Sequence, residues 1–503
     1  MDRLICELRG NAVRWLLILS LVLLQGGQVI ADDDRYSRFI AETEPLSPAA
    51  QQQTFHLPPG FEIELVASEP EIRKPINLNF DATGRLLVSG SVEYPFAVEK
   101  GRKARDSIKR LTDSNGDGRY DTVETLADGL NIPVGVSPVP GGVLAYSIPR
   151  IETILPADRN GGTGRRKMLF RGFDSADTHG MPSSFTWWID GWVYGCQGES
   201  NAGTVPDESG AKVKLSGGTT FRMRPDGSHF EIFAHGQVNP FGLCFDPLGN
   251  LFSADSHSRP AYLLLHGARY PGLATTHDGL GFGPPMMRHR HGSTGIAGIA
   301  FYAAEQFPAE YRNTLFLGNP VTGRINHDQL EAHGSTFEAI EQPDFLTCDD
   351  PWFRPVDVQL GPDGALYIAD FYNRVIAHSL IPLGHAQRDH QRGRIWRIVY
   401  KGTKDKPSRL SPVPDLSQAT VGELLRHLDQ SNLLIRTHAT HQLVERIGKS
   451  SVAPLKQLLA GESRPRQRVH GLWALERLGS LDGELISRLA KDSDRAVRVH
   501  LLK

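Results

Sequence analysis

The segment DSNGDGRYDTVE, Asp113 to Glu124, sets oxygen-bearing side chains at the spacing of a calcium-binding loop. Asp113, Asn115 and Asp117 offer side-chain oxygens, Gly118 takes the sharp turn, and Arg119 offers its carbonyl. Asp121 stands at the ninth position and Glu124 at the twelfth. A hard divalent cation needs that density of oxygen, and without one the carboxylates repel one another. The flanks read as strands rather than as two helices. The expectation is therefore a calcium-stabilised loop between strands, structural in role, with an unfilled acidic turn as the alternative.

A second candidate is DTHGMPSSFTWWIDGWVYGCQG, which places His179 just ahead of a hydrophobic strand pattern. An imidazole accepts a proton near neutral pH, as removal of a hydroxyl proton requires. A histidine beside glycine at a loop tip is also a common turn residue, so both readings stand. In MMRHRHGSTG, His289, Arg290 and His291 occupy a glycine-bounded loop. Alternation along a strand would put both histidines on one face, suited to a metal, a carboxylate or a haem edge; a solvated or stacking loop is the rival reading. ADSHSRP (Asp255, His257) and ADFYNR (Asp370, Tyr372, Asn373) each close a strand with an aspartate, which favours a structural turn bond over channel-facing ligands.

The elements that must position these groups follow one repeated pattern: an apolar residue, a short D/P/G turn, then a β-rich strand. It starts at Phe80, Ser137, Trp188, Phe245, Tyr311 and Leu360, at separations of 57, 51, 57, 66 and 49 residues. Six units of that length, each a few short strands, predict a mainly β fold, a six-bladed β-propeller over residues 54–400 with room for a seventh blade. GFEIELVASEP would open the first blade and GRIWRIVY would close the last. A pair of β-sandwiches is the competing fold.

Residues 1–31 read as an export signal, with Arg3, Arg9 and Arg14 ahead of WLLILSLVLL and small residues before Asp32. An exported protein, periplasmic or at the cell surface, is expected, with membrane association only through an uncleaved signal. Residues 32–53 form an exposed lead-in. Lys+Arg 55 against Asp+Glu 57 gives a net charge of -2, which argues against nucleic acid as a partner. Cys196, Cys244 and Cys348 remain after the signal and support no disulfide framework. Residues 401–416, basic and proline-bearing, read as a linker. Beyond them, over 417–503, the period turns helical. His438, His470 and His500 recur at 32 and 30 residues, and Gly448 and Gly479 stop helices 31 residues apart. This predicts a HEAT-type helical array whose histidines pack or face solvent rather than bind metal, its third copy ending in mid-helix as in the front part of a longer protein.

The propeller segments resemble the soluble quinoprotein glucose and sorbosone dehydrogenases. The resemblance rests on His179 with its D-G turn and Gly195–Gly198 tip, on NPFGLCFDPLGNLFSAD, and on FRPVDVQLGPDGALYIAD. It implies His179 as catalytic base, Gln197, Asn239 and Arg354 on a pyrroloquinoline quinone (PQQ) surface, and a sugar or alcohol substrate. Val238 stands where that family has an arginine. LPPGFEIELVASEPEIRKPINLNFD, LTDSNGDGRYDTVETLADGL, HRHGSTGIAGIAFY and CDDPWFRPVDVQLGPDGALYIADFYNRVIAHSL are similar to the PVC-type membrane-bound dehydrogenase family, over roughly residues 54–503. That family usually continues into HEAT repeats and a CxxCH haem module. No CxxCH occurs here, so a haem is expected on a partner cytochrome or another protein bound through the helices. The expected activity is a PQQ-type dehydrogenase; a calcium-dependent lactonase or other hydrolase, and a non-catalytic envelope scaffold, are the alternatives.

Overall fold

The computed structural model describes residues 39–156, 164–198, 200–207, 210–272, 281–293, 295–376 and 381–503. The expected signal lies outside them. Six antiparallel sheets surround a central channel. Their innermost strands are Pro75–Phe80, Val134–Val139, Ser183–Trp187, Asn239–Phe245, Ala297–Phe301 and Pro355–Leu360. Each neighbours the next, and the last neighbours the first, so the ring is closed. The predicted six-bladed propeller is the observed fold.

Each of the six repeated turn patterns falls between the innermost strand of a blade and its second strand. An aspartate caps four of the six turns: Asp81, Asp190, Asp246 and Asp363. Asp81 accepts the backbone N–H groups of Thr83 and Arg85 at 2.9 and 3.1 Å, and Asp246 accepts those of Leu248 and Asn250 at 2.8 and 2.9 Å. Gly84 and Gly249 then take φ of 77° and 72°, a conformation that glycine enters without steric cost.

Phe61–Ser68, expected to open the first blade, instead pairs antiparallel with Arg394–Tyr400. It is the outermost strand of the last blade, and the start and end of the ring share one sheet. The strand's alternating burial fits an edge position, with Phe61 and Ile63 inward and Glu62 outward. The described part of the lead-in, residues 39–53, is anchored rather than wholly exposed. Gln51 is fully buried and donates to Asp370 Oδ2 at 3.0 Å, while Trp352 Nε1 donates to the Thr43 carbonyl at 2.9 Å.

Six α-helices follow in three consecutive pairs: Val421–His427 with Leu433–His441, Val452–Ala460 with Pro465–Arg477, and Gly483–Leu489 with Arg495–Leu502. They dock on the face that carries the repeated turns. Arg477 Nη1 donates to the Ile189 carbonyl at 3.3 Å, His500 Nε2 meets the Pro247 carbonyl at 2.9 Å, and Asn432 Nδ2 donates to Gly361 at 2.8 Å. Leu433 N–H donates to the Ala303 carbonyl at 2.9 Å. His441 stacks on Trp187 with ring centroids 3.5 Å apart and planes 5° from parallel. With Leu433, Thr437 and His438 it lines a void of about 130 Å³ at that end of the channel. The segment 401–416 runs along the same face, where Leu416 N–H bonds to the Ala82 carbonyl at 2.8 Å. No helix among the described residues is long and apolar enough to cross a membrane. Cys196, Cys244 and Cys348 are free thiols.

The recurring histidines do pack. His470 lies between Thr440 Oγ1 at 2.8 Å and Arg436 Nε at 3.2 Å, and His500 accepts from Trp473 Nε1 at 3.0 Å. Burial pushes the pKa of His438 and of His500 down to about 4 from the ordinary 6.5. The unfolded chain therefore binds more protons than the folded one between those values, and stability falls as pH drops through that window. Urea denaturation of the full chain is expected to show a lower midpoint at pH 4.5 than at pH 7, with a smaller drop in His438→Gln. Equal midpoints at both pH values would overturn this account.

Candidate functional site

The innermost strands enter the ring at the end of the channel opposite the helices. There Ile76, Val134, Asn239, Ala297 and Val356, from five of the blades, bound a cavity of about 370 Å³. His179 joins them from the segment leading into the third blade. This is within the size range of small-molecule and cofactor sites. His179, Asn239 and Arg354, far apart in sequence, are brought together here, and Gln197 is not among the lining residues.

His179 is held by its own loop. Its Nδ1 lies 3.2 Å from Asp177 Oδ1, and its backbone N–H donates to the same oxygen at 2.9 Å. Asn201 fixes the loop from behind, accepting from Asp177 N–H at 3.0 Å and donating to the Asp177 carbonyl at 2.7 Å. The hydrogen bond from His179 holds the Asp177 carboxyl well below the usual carboxylate range, against the opposing effect of its partial burial. With Nδ1 donating to that carboxylate, the lone pair of the neutral ring sits on Nε2, the tautomer a proton acceptor requires. Tyr94 meets the imidazole edge-on at 5.0 Å and contacts Phe371 in the same manner at 5.7 Å, giving the ring an apolar wall. Asp177 is a site residue that the sequence reading missed, and its D-x-H spacing to His179 is the signal that points to the pair.

Asn239 begins the innermost strand of the fourth blade. Its side-chain amide makes no hydrogen bond within the described residues, whereas its backbone N–H is 3.4 Å from Asp255 Oδ1. Behind it, a Cβ added at Gly198 would lie 2.1 Å from Asn239 Oδ1 and 2.8 Å from Gly180 Cα. The glycine tip read from sequence thus serves close backbone packing that seats Asn239. Gln197 is fully buried behind the wall and donates to the carbonyls of Asn201 at 3.2 Å and Ser216 at 3.3 Å. Its place in strand Val193–Gln197 turns it into the blade. Val238 is buried, its N–H donating to Asp255 Oδ2 at 3.0 Å.

Arg354 is 5% exposed. One guanidinium nitrogen, Nη1, donates to the carbonyls of Pro320 and Phe353, each at 3.2 Å, and Nε has no partner among the described residues. Burial lowers its pKa to about 10, so it remains cationic at neutral pH. Arg388 and His390 line the same cavity, and no aspartate or glutamate does so among the described residues. The wall thus carries two arginines and no carboxylate among the described residues. Asp255 and Asp370 instead face the backbone, Asp255 accepting from Val238 and Asn239 and Asp370 from Arg354 and Tyr372. These are structural turn bonds.

The loop at 113–124 joins strands Asp106–Thr112 and Thr122–Leu130 of the first blade. Its carboxylates are taken by other partners. Asp113 accepts backbone N–H groups of Gly116 and Gly118, each at 2.8 Å, Asp121 accepts from Ser114, and Glu124 pairs with Arg110. Asn115 and Asp117 cap the N–H groups of Asp117 and Arg119, at 2.9 and 2.8 Å. No three of the loop's acidic groups bring ligand oxygens within 4.8 Å of one another. Backbone donors and Arg110 thus hold the oxygens that the spacing offers. His289 and His291 lie away from the cavity and converge on Asp328.

No curated protein matches the chain. Among solved structures, an oxidoreductase of Thermus thermophilus, provisionally described as a glucose dehydrogenase, is 19% identical. That alignment covers 68% of this chain and 100% of the other, at a TM-score of 0.48. The PQQ-bound aldose sugar dehydrogenase of Streptomyces coelicolor is 20% identical over 68% and 100% of the two chains, at 0.44. The soluble aldose sugar dehydrogenase of Escherichia coli in its apo form is 16% identical over 68% and 99%, at 0.41. A family model described as "Domain of unknown function (DUF7133)" matches residues 47–402. Since that match takes in the whole closed ring, from the helix before the closing strand to the end of the last blade, the chain belongs to the DUF7133 family.

Proposed function

We propose that the open cavity is the active site of a quinoprotein-type dehydrogenase acting on a sugar or alcohol. The observation that carries this reading is the pairing of an aspartate-oriented histidine with two arginines in one cavity. A PQQ cofactor, when bound, supplies the two-electron acceptor for a hydroxyl-bearing carbon. Arg354, a cation on the cavity wall, matches an anionic group on such a cofactor, and the amide of Asn239 matches a carbonyl or hydroxyl. His179 takes the hydroxyl proton at Nε2, and Asp177 stabilises the imidazolium that results. Tyr94, Phe241 and Phe371 keep water from that proton. Val238 leaves one fewer cation than the resembling family has, and Arg388 and His390 supply positive or donor character elsewhere on the wall. A metal-dependent hydrolase is less well served, since the described wall carries no carboxylate to hold an ion. Export, through residues 1–31, and delivery of electrons to a haem protein bound on the helices complete the proposal.

Titration of PQQ into the full chain, followed by dye reduction with a panel of sugars and alcohols, tests it. His179→Ala is expected to keep PQQ binding and lose about 100-fold or more in turnover. Asn239→Ala is expected to weaken PQQ binding. Folded protein that binds no PQQ and oxidises none of the panel would defeat the reading.

Calcium at 113–124 is a separate part of the proposal. It requires Glu124 to leave Arg110, so Arg110→Ala is expected to bind calcium several-fold more tightly than the natural chain, read by calorimetry. Equal affinity in the two proteins would remove Glu124 from the ligand set.

A further inference from the structure

We infer that His289, His291 and Asp328 form a site for a zinc-class divalent ion on the fifth blade, outside the cavity. Asp328 lies on strand Arg324–His333 of that blade, and the two histidines lie on the segment leading to its innermost strand. His289 Nε2 is 2.7 Å from Asp328 Oδ1, and His291 Nε2 is 2.8 Å from Oδ2. The two Nε2 atoms are 3.3 Å apart. Two nitrogens held about 2.0–2.1 Å from a tetrahedral ion stand about 3.3 Å from each other, so the imidazoles already have the separation that zinc requires. Among the described residues, this is the only set of three histidine, cysteine or acidic groups whose ligand atoms come within 4.8 Å of one another.

Ligand chemistry points the same way. Two imidazoles and one carboxylate suit zinc and its neighbours, not calcium or magnesium, which take oxygen. The side chains of Asp328 and His291 are 0% and 1% exposed, while His289 at 19% leaves a way in. Three protein ligands with one accessible side describe an ion that keeps a position for water. His291 Nδ1 lies 3.2 Å from Glu341 Oε1, off the line of a formed hydrogen bond but placed as the outer carboxylate that commonly orients a ligating imidazole.

The backbone supplies an independent sign. His291 has φ of 50°, uncommon for a buried residue with a side chain, and Asn319 Nδ2 holds its carbonyl at 3.2 Å. Such a conformation persists where the surroundings over-determine it, and it aims Nε2 at Asp328. An ion here would tie the incoming segment to the third strand of the blade whose Ala297 lines the cavity.

The full chain, stripped by chelator and then supplied with zinc, should retain one zinc per chain after gel filtration. His289→Gln, at the partly exposed ligand, should retain at least tenfold less at limiting zinc, with unchanged circular dichroism showing that it folds. Cobalt(II) in place of zinc should give the intense visible bands of four-coordinate cobalt, absent in His289→Gln, and excess calcium should not displace either ion. Less than a tenth of an equivalent of zinc on the natural chain would overturn the inference, as would equal retention by folded His289→Gln. Because PQQ plays no part in these readouts, they stand or fall apart from the dehydrogenase proposal.

Discussion

Closure of the ring is the constraint on which the cavity depends. Phe61–Ser68 lies against Arg394–Tyr400, so a strand from the start of the ring completes the sheet that ends it. Strand pairing of this kind joins the two ends of the ring in one sheet and fixes the last blade beside the first. Arg354 and Val356 then stand next to Ile76, and the wall becomes continuous. Buried charge reinforces the seam, with Arg394 on Glu69 at 3.1 Å and Arg397 on Glu64 at 2.5 Å.

Much of this was legible from local rules. The repeated turns announced the blades because four of the six use an aspartate to cap backbone donors and five a glycine to reverse the chain, and those requirements survive differences in the strands. His179, Asn239 and Arg354 were legible through resemblance, and they do share a cavity. Gln197 was misplaced because a strand alternates its faces, and one residue of phase decides between cavity and interior. The calcium spacing described a capacity for oxygen ligation, but sequence carries no sign that Arg110, on the neighbouring strand, meets Glu124. The role of Phe61–Ser68 was equally hidden, since an edge strand looks the same whichever blade receives it.

The helices show how packing gives meaning to a pattern that periodicity leaves blank. His438, His470 and His500 repeat at helical spacing, which says only that they share a face. The structure shows that this face joins successive helix pairs to each other and to the blade turns. His470 bridges to Thr440, and His500 bridges Trp473 to the Pro247 carbonyl. Neutral imidazole, both donor and acceptor, can satisfy a buried carbonyl and a buried donor at once, where a charged group would incur a large desolvation cost.

The stacked His441 and Trp187 bind the two halves of the chain to each other at one end of the channel. Strand residues and helix residues line the same void there. A propeller cut free of its helices would present the ends of its innermost strands, and the face of Trp187 with them, to water, so the two halves depend on each other for a dry boundary.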